Sequence, residues 1–312
     1  MKRIFQIACF SILSILVTSC SFSLSADSYQ NCLRGKIVFT LSTGKETGIF
    51  VGDLGTGKQK RLTDSSSVNI HPKWSPDGSS IVFVSYRDGN AEIYKMNADG
   101  DKVTRLTQNL LDDSEPAWSP DGKYIAFVQI INKKAQIFFM GSDGKNIKQL
   151  TKDNFNDFNP SWAPNGREII FVSDRDAAKN FGHPALYILN LENGNQVLLG
   201  QETLGYSPEW SPDGNLVAYV SDIKSIRTNI NRILLYDIQI GTSTLLVPGD
   251  IGSSQEQGYS YYNPIWSNDA KCVIFLQDIS GENVDVMNFA TRNFVPVSHF
   301  EDVAYLDWTM IR

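Results

Sequence analysis

The chain has 312 residues, 42% hydrophobic and 20% charged, a globular composition with length for one large domain or two ordinary ones. Its 28 Lys+Arg against 34 Asp+Glu leave a net charge of −6, which excludes the basic surplus that a nucleic-acid binder uses to neutralise phosphates. Three histidines argue against a histidine-rich metal enzyme, and the 6 Trp, 12 Tyr and 17 Phe, with 23 Gly and 12 Pro, point to short strands joined by turns.

In chain order, Lys2 and Arg3 precede a mostly apolar run from Ile4 to Val17, which ends at Thr18, Ser19 and Cys20. A basic start followed by about 14 apolar residues has the form of a secretory signal and is too short for a stable membrane span. The stretch Leu16-Val17-Thr18-Ser19-Cys20 resembles the bacterial lipobox. That resemblance implies that residues 1–19 are removed and that Cys20 carries lipid at the head of a tether, residues 20–34. Ser21 rather than Asp follows, which implies the outer membrane, with the protein facing the periplasm. Ordinary cleavage after Ser25 or Ala26 is the other reading. Cys9 leaves with the signal, so Cys32 and Cys272 remain, either bonded in an oxidising compartment or as two separate small apolar residues.

From residue 35 onward the chain repeats. Trp74, Trp118, Trp162, Trp210, Trp266 and Trp308 are the six tryptophans, spaced by 44, 44, 48, 56 and 42 residues. Around them stand HPKWSPDG (71–78), EPAWSPDG (115–122), NPSWAPNG (159–166), SPEWSPDG (207–214), NPIWSNDA (263–270) and, at the end, YLDWTMIR. Each complete copy continues into a strand such as SIVFVS or EIIFVS, a further strand such as EIYKM, a turn such as NADG, and a closing stretch such as VTRLT. Pro fixes φ, Asp bonds its neighbouring backbone and Gly accepts positive φ, so Ser-Pro-Asp-Gly sets a tight turn. Strands apolar on both faces lie between two sheets, and four strands in about 44 residues make a β-propeller blade with its Trp packed between blades.

Residues 35–63 supply three strands (GKIVFT, GIFVGD, KQKRLT) with no Trp strand before them, and Ala304–Ile311 is a Trp strand with nothing after it. Joined, they complete a sixth blade from both chain ends and remove the exposed sheet edges. The expected fold is therefore all-β, a six-bladed propeller over residues 35–312. This WSPDG…IxFVS…EIYxMNADG…RLT pattern resembles the TolB-type propeller repeat, whose propeller is six-bladed. TolB itself also carries an N-terminal α/β domain for which this chain has no room, and it is soluble in the periplasm. Similar repeats form the propellers of prolyl-oligopeptidase-like enzymes and of oligogalacturonate lyases.

Gly52-Asp53-Leu54-Gly55-Thr56-Gly57-Lys58 fits a phosphate-binding loop in letters, but Gln59 replaces the Ser or Thr and the segment sits where other repeats carry hairpins. His71, His183 and His299 have no metal-like spacing. Asp77, Asp121 and Asp213 belong to their turns. No cofactor, metal site or catalytic motif is expected, and two readings remain. One is a non-catalytic, monomeric scaffold that binds a protein or envelope polymer through one face, membrane-bound only through its lipid. The other is a polysaccharide lyase or hydrolase using the central funnel. Propeller topology brings the loops that lead into the Trp strands, and those between second and third strands, to one face. The long departures at 173–185, 221–231 and 248–263 fall there. Long loops on a rigid scaffold carry binding, so the candidate partner-binding residues are His71, Asp112, Asp113, Glu115, Asp157, Asn159, Tyr259, Tyr261, Tyr262, Asn263, Glu301 and Asp302, with aromatics as anchors and carboxylates steering approach.

Overall fold

The computed structural model describes residues 32–42, 47–180, 182–200, 203–224, 229–246, 260–278, 282–291, 293–297, 300 and 302–309. Blade 1 holds β1 (Lys36–Ser42), β2 (Thr47–Asp53) and β3 (Gln59–Arg61). Blade 2 is β4 (Asn69–Trp74), β5 (Ser80–Ser85), β6 (Glu92–Asn97) and β7 (Thr104–Arg105). Blade 3 is β8 (Asp113–Trp118), β9 (Tyr124–Ile131), β10 (Lys134–Gly141) and β11 (Lys148–Gln149). Blade 4 is β12 (Asp157–Trp162), β13 (Glu168–Ser173), β14 (Ala185–Asn190) and β15 (Gln196–Leu198). Blade 5 is β16 (Tyr206–Trp210), β17 (Leu216–Lys224), β18 (Asn229–Asp237) and β19 (Thr242–Leu245). Blade 6 is β20 (Ser260–Trp266), β21 (Cys272–Asp278), β22 (Glu282–Asn288) and β23 (Asn293–Pro296). The last strand, β24 (Val303–Thr309), pairs antiparallel with β1, so blade 1 has the order β24-β1-β2-β3.

The first strands β4, β8, β12, β16, β20 and β24 touch in ring order, and β24 returns to β4. The six-bladed, end-to-end closed propeller expected from the tryptophan count is the fold observed. The second strands are its densest part. Ile81, Val82, Phe83 and Val84 of β5 and Ile169, Ile170, Phe171 and Val172 of β13 are fully buried, because each sheet packs on both faces. Trp118 Nε1 donates to Lys73 O at 3.2 Å, and Trp162 Nε1 to Ala117 O at 3.1 Å. These two indoles join blade 3 to blade 2 and blade 4 to blade 3.

The turns after the Trp strands form as their letters imply. Gly78 N donates to Ser75 O at 2.8 Å with Gly78 at φ 68, while Asp77 accepts from Ser75 Oγ and Ser79 N. The Ser75 hydroxyl, with Ser79, holds the Asp77 carboxyl below its ordinary value. In blade 6 Ala270 takes the glycine's place at φ 57, a conformation that costs a side-chain-bearing residue more. Gly52–Lys58 is likewise a hairpin: Asp53 caps it by accepting from Thr56 N at 2.7 Å, and β3 follows directly.

One slot breaks the blade pattern. Opposite the second-strand aromatics Phe39, Phe83, Phe127, Phe171 and Tyr219 stand Phe50, Tyr94, Phe138, Tyr187 and Leu234. Opposite Phe275 in blade 6 stands Asp285, fully buried with neither carboxylate oxygen hydrogen-bonded. Burial pushes its pKa up to about 6. The folded state therefore keeps the proton after the unfolded chain has lost it, and stability falls as pH rises from about 4 through 6. Asp285→Leu, which installs the blade 5 residue, is expected to melt higher than the parent. Its advantage should grow by about 2–3 kcal/mol between pH 4 and pH 7.5. Urea melts of both proteins at the two pH values check this, and an advantage that does not change with pH would contradict it.

Candidate functional site at the propeller axis

Every first strand carries the same distortion. His71, Glu115, Asn159, Ser207, Asn263 and Tyr305 sit at φ 52, 52, 49, 49, 48 and 48. In five blades the ladder skips between Ile70 and Lys73, Ser114 and Ala117, Phe158 and Ser161, Tyr206 and Glu209, and Tyr262 and Ile265. In the sixth it skips opposite Tyr305, where Phe39 and Thr40 pair with Leu306 and Ala304. Left-handed φ is uncommon outside glycine and favours a local explanation. A bulge re-aims a side chain and frees it from pairing, and the proline that follows in five of the six copies has no amide hydrogen to lose.

These six residues ring one mouth of the axial channel and stitch neighbouring blades. Glu115 Oε2 accepts from Asn159 N at 2.6 Å, Asn159 Oδ1 accepts from Ser207 N at 3.3 Å, and Ser207 Oγ reaches Asn263 Oδ1 at 3.5 Å. His71 packs edge-on against Tyr305, with ring centroids 3.9 Å apart. Burial, assisted by Lys73, lowers its pKa to about 4, so the imidazole is neutral at neutral pH. Burial also raises the Glu115 carboxyl, against the hydrogen bonds from Asn159. The mouth opens into a cup of about 420 Å³ with walls of Phe158, Tyr206 and the five prolines. Tyr206 is 38% exposed and Tyr305 44%.

The floor of the cup is the channel's waist, formed by the residues immediately before each Trp: Lys73, Ala117, Ser161, Glu209, Ile265 and Asp307. Lys73 Nζ lies 3.5 Å from Asp307 Oδ1, and Asp307 Oδ2 accepts from Trp74 N at 2.6 Å. Burial works against the Lys73 charge, but Asp307 and Glu209 hold its pKa above the ordinary value. Asp307 is raised by burial despite Lys73. Glu209, across the ring, accepts from Ser161 Oγ at 3.2 Å, and burial raises its pKa to about 7 against the pull of Lys73. One ammonium thus faces two carboxylates, and Glu209 is the member without an ion-pair partner within 4 Å. Below the waist a second cup of about 430 Å³, lined by all six tryptophans, opens on the face of the tight turns.

Of the residues proposed from the sequence, His71, Glu115, Asn159 and Asn263 meet at this mouth. Asp112 is exposed and accepts from Ala91 N at 3.0 Å, and Asp302 is exposed at φ 56. Asp113 and Asp157 are fully buried, which corrects their placement on the rim. Asp113 accepts from Asn109 Nδ2 at 2.7 Å and Gln129 Nε2 at 2.8 Å, with its pKa raised to about 6 by burial. Asp157 is raised by burial too, and accepts from Arg175 at 3.3 Å. Both fasten loops from inside. Tyr261 is 5% exposed, edge-on to Phe275 at 5.6 Å, and so serves the core rather than docking. Tyr262 is half-buried against the core between blades 6 and 1. Tyr259 and Glu301, like Cys20, lie outside the described residues.

Most of the 221–231 departure is extended hairpin, since β17 reaches Lys224 and β18 resumes at Asn229. Of 248–263, the described part is β20 from Ser260 onward. The binding set expected from the sequence leaves out Ser207, although it fills the His71 slot of its own repeat, and also Tyr305, the wall aromatics Phe158 and Tyr206, and the waist charges Lys73, Glu209 and Asp307. The signal was available: with Trp turned into the blade interface, strand alternation turns its predecessor to the axis. Among the described residues, no group of three or more His, Cys, Asp or Glu is arranged to hold a metal ion.

The sequence profile of the TolB beta propeller domain matches residues 26–180 and 111–287. The chain belongs to this family. TolB of the Tol-Pal system from Syntrophus aciditrophicus is 38% identical over 71 residues, 21% of this chain and 15% of that protein. The Bordetella pertussis counterpart is 38% identical over 53 residues, 17% of this chain and 12% of its own length. The crystal structure of Acinetobacter baumannii TolB superposes with a TM-score of 0.71 at 22% identity, over 88% of this chain and 66% of that one. The matched regions therefore span less than two thirds of these relatives. Oligogalacturonate lyase from Vibrio parahaemolyticus shares the fold at a TM-score of 0.54 and 14% identity, over 84% of this chain and 73% of the lyase.

Proposed function

We propose that this TolB-family propeller is a non-catalytic binding scaffold of the bacterial envelope, exported and held to the outer membrane by lipid on Cys20. In this reading its axial cup seats a segment of a protein partner. The observation that carries the reading is the ring of six bulged, non-glycine residues opening onto a cup whose floor holds an ion-paired lysine and one further carboxylate. Apolar walls with few convergent polar groups are the form of a binding pocket. Tyr206, Tyr305 and Phe158 supply anchors of the kind that dominate interfaces. Glu209 supplies the charge that a partner's Lys or Arg would balance. The mouth's own polar groups already stitch the blades, which suits a rigid receptor better than a set of acid–base catalysts. Kinship with proteins of the Tol-Pal system supports a protein partner in the envelope.

Tyr206→Ala combined with Tyr305→Ala should reduce recovery of the partner from detergent-solubilised envelope by about tenfold or more, while Tyr124→Ala on the opposite face leaves recovery unchanged. Recovery should also weaken from pH 8 to pH 6, as Glu209 takes up its proton, and Glu209→Gln should be weak at both. Full recovery with the tyrosine pair removed would overturn the assignment of the mouth.

A further inference from the structure

We propose that the face of the tight turns looks toward the membrane and that the cup ringed by His71, Glu115, Asn159, Ser207, Asn263 and Tyr305 opens away from it. This rests on the anchoring at Cys20 proposed above, but it is carried by where the chain first joins the body. Four consecutive residues are fixed at the turn face. Cys32 is bonded to Cys272, the first residue of β21 after the Ser267–Lys271 turn, with Cα atoms 5.7 Å apart. Leu33 packs on the core between blades 6 and 1, and its carbonyl lies against Gly55 in the turn after β2. Arg34 O accepts from Trp308 Nε1 at 3.2 Å, and Gly35 O accepts from Leu54 N at 3.2 Å. Any chain N-terminal to Cys32 therefore departs from the face opposite the cup.

Cys20 lies twelve residues before Cys32. That length spans at most about 43 Å when drawn straight and roughly 20 Å on average as a flexible chain. A body of this size has a radius of gyration of about 19 Å. For the cup to meet the bilayer, the tether would have to run nearly straight along the side of the propeller. With the turn face inward, it can stay relaxed. The disulfide thus has a task beyond stability: it fixes the point from which the anchor pulls. The same geometry leaves the mouth open to a partner arriving from the aqueous side.

The test uses the full lipidated protein on phospholipid vesicles that carry a headgroup-linked dark quencher. Cys32 and Cys272 are bonded and Cys20 is acylated, so one added thiol can be labelled with a maleimide fluorophore. Lys123→Cys and Leu110→Cys both lie in or just before blade 3, are both exposed, and mark the turn face and the cup face respectively. The label at 123 should be quenched roughly threefold or more beyond that at 110, since the tether holds one face within about 20 Å of the bilayer. Equal or reversed quenching on vesicles that still carry the protein would overturn the orientation and leave the anchor standing. Protein that fails to float with vesicles, behaving like Cys20→Ala, would overturn the anchor and the orientation together.

Discussion

A chain ending at Asp302 is expected to lose its cooperative fold, although it keeps all strands of five blades and three of the sixth. The truncation removes β24, whose Val303, Leu306 and Trp308 are buried in the core between blades 6 and 1. It also strips β1 of the partner that pairs with it from Lys36 to Leu41. Deleting one buried Leu or Trp side chain costs about 2–5 kcal/mol, so losing this set approaches the 5–15 kcal/mol that holds an ordinary domain together. The Asp307 carboxylate leaves as well, stranding the half-buried Lys73 and the Trp74 amide. Urea denaturation followed by circular dichroism should show a transition in the full chain and its loss, or a broad decay at low urea, in the truncated one. Equal midpoints would mean that the ring does not depend on its clasp.

Reducing the Cys32–Cys272 bond should produce the second large effect. The cysteines are 240 residues apart, so the cross-link ties together most of the unfolded chain, and long closed loops lose the most freedom. The expected cost of reduction is about 2–5 kcal/mol, read as a lower urea midpoint with reductant and reproduced by replacing both cysteines with serine. Because both residues also sit in the core cluster, the serine pair should fall slightly below the reduced protein. An unchanged midpoint on reduction would remove the bond from the account of stability.

What the sequence made legible, and what it hid, follows from locality. The blade count and clasp could be read because each blade repeats its own turn and Trp, and the arithmetic of copies needs no coordinates. The slot of His71, Glu115, Asn159 and Asn263 was visible for the same reason. The waist was passed over because its position is not uniformly polar: Lys73, Glu209 and Asp307 share it with Ala117, Ser161 and Ile265. The three charges form a cluster only when the residue before each Trp is compared across all six copies. Asp113 and Asp157 read as rim carboxylates because loops before Trp strands are usually solvated. They are instead turned inward, where Asn109 and Gln129 or Arg175 hold them. Tyr261 was misplaced by a single step of strand alternation. β20 begins at Ser260, and its second residue faces Phe275 and the blade 5 core rather than solvent.

On the proposed reading, the bulged mouth, and not the face of the tight turns, receives the partner. Site-specific photo-cross-linking in cells tests it directly, with a benzophenone amino acid placed at Tyr206 in the mouth or at Tyr124 on the turn face, two exposed aromatic positions that tolerate a similar ring. A covalent adduct of one defined mass is expected from position 206, lost when Glu209→Gln is added, and none from position 124. An adduct from 124 with none from 206 would contradict it.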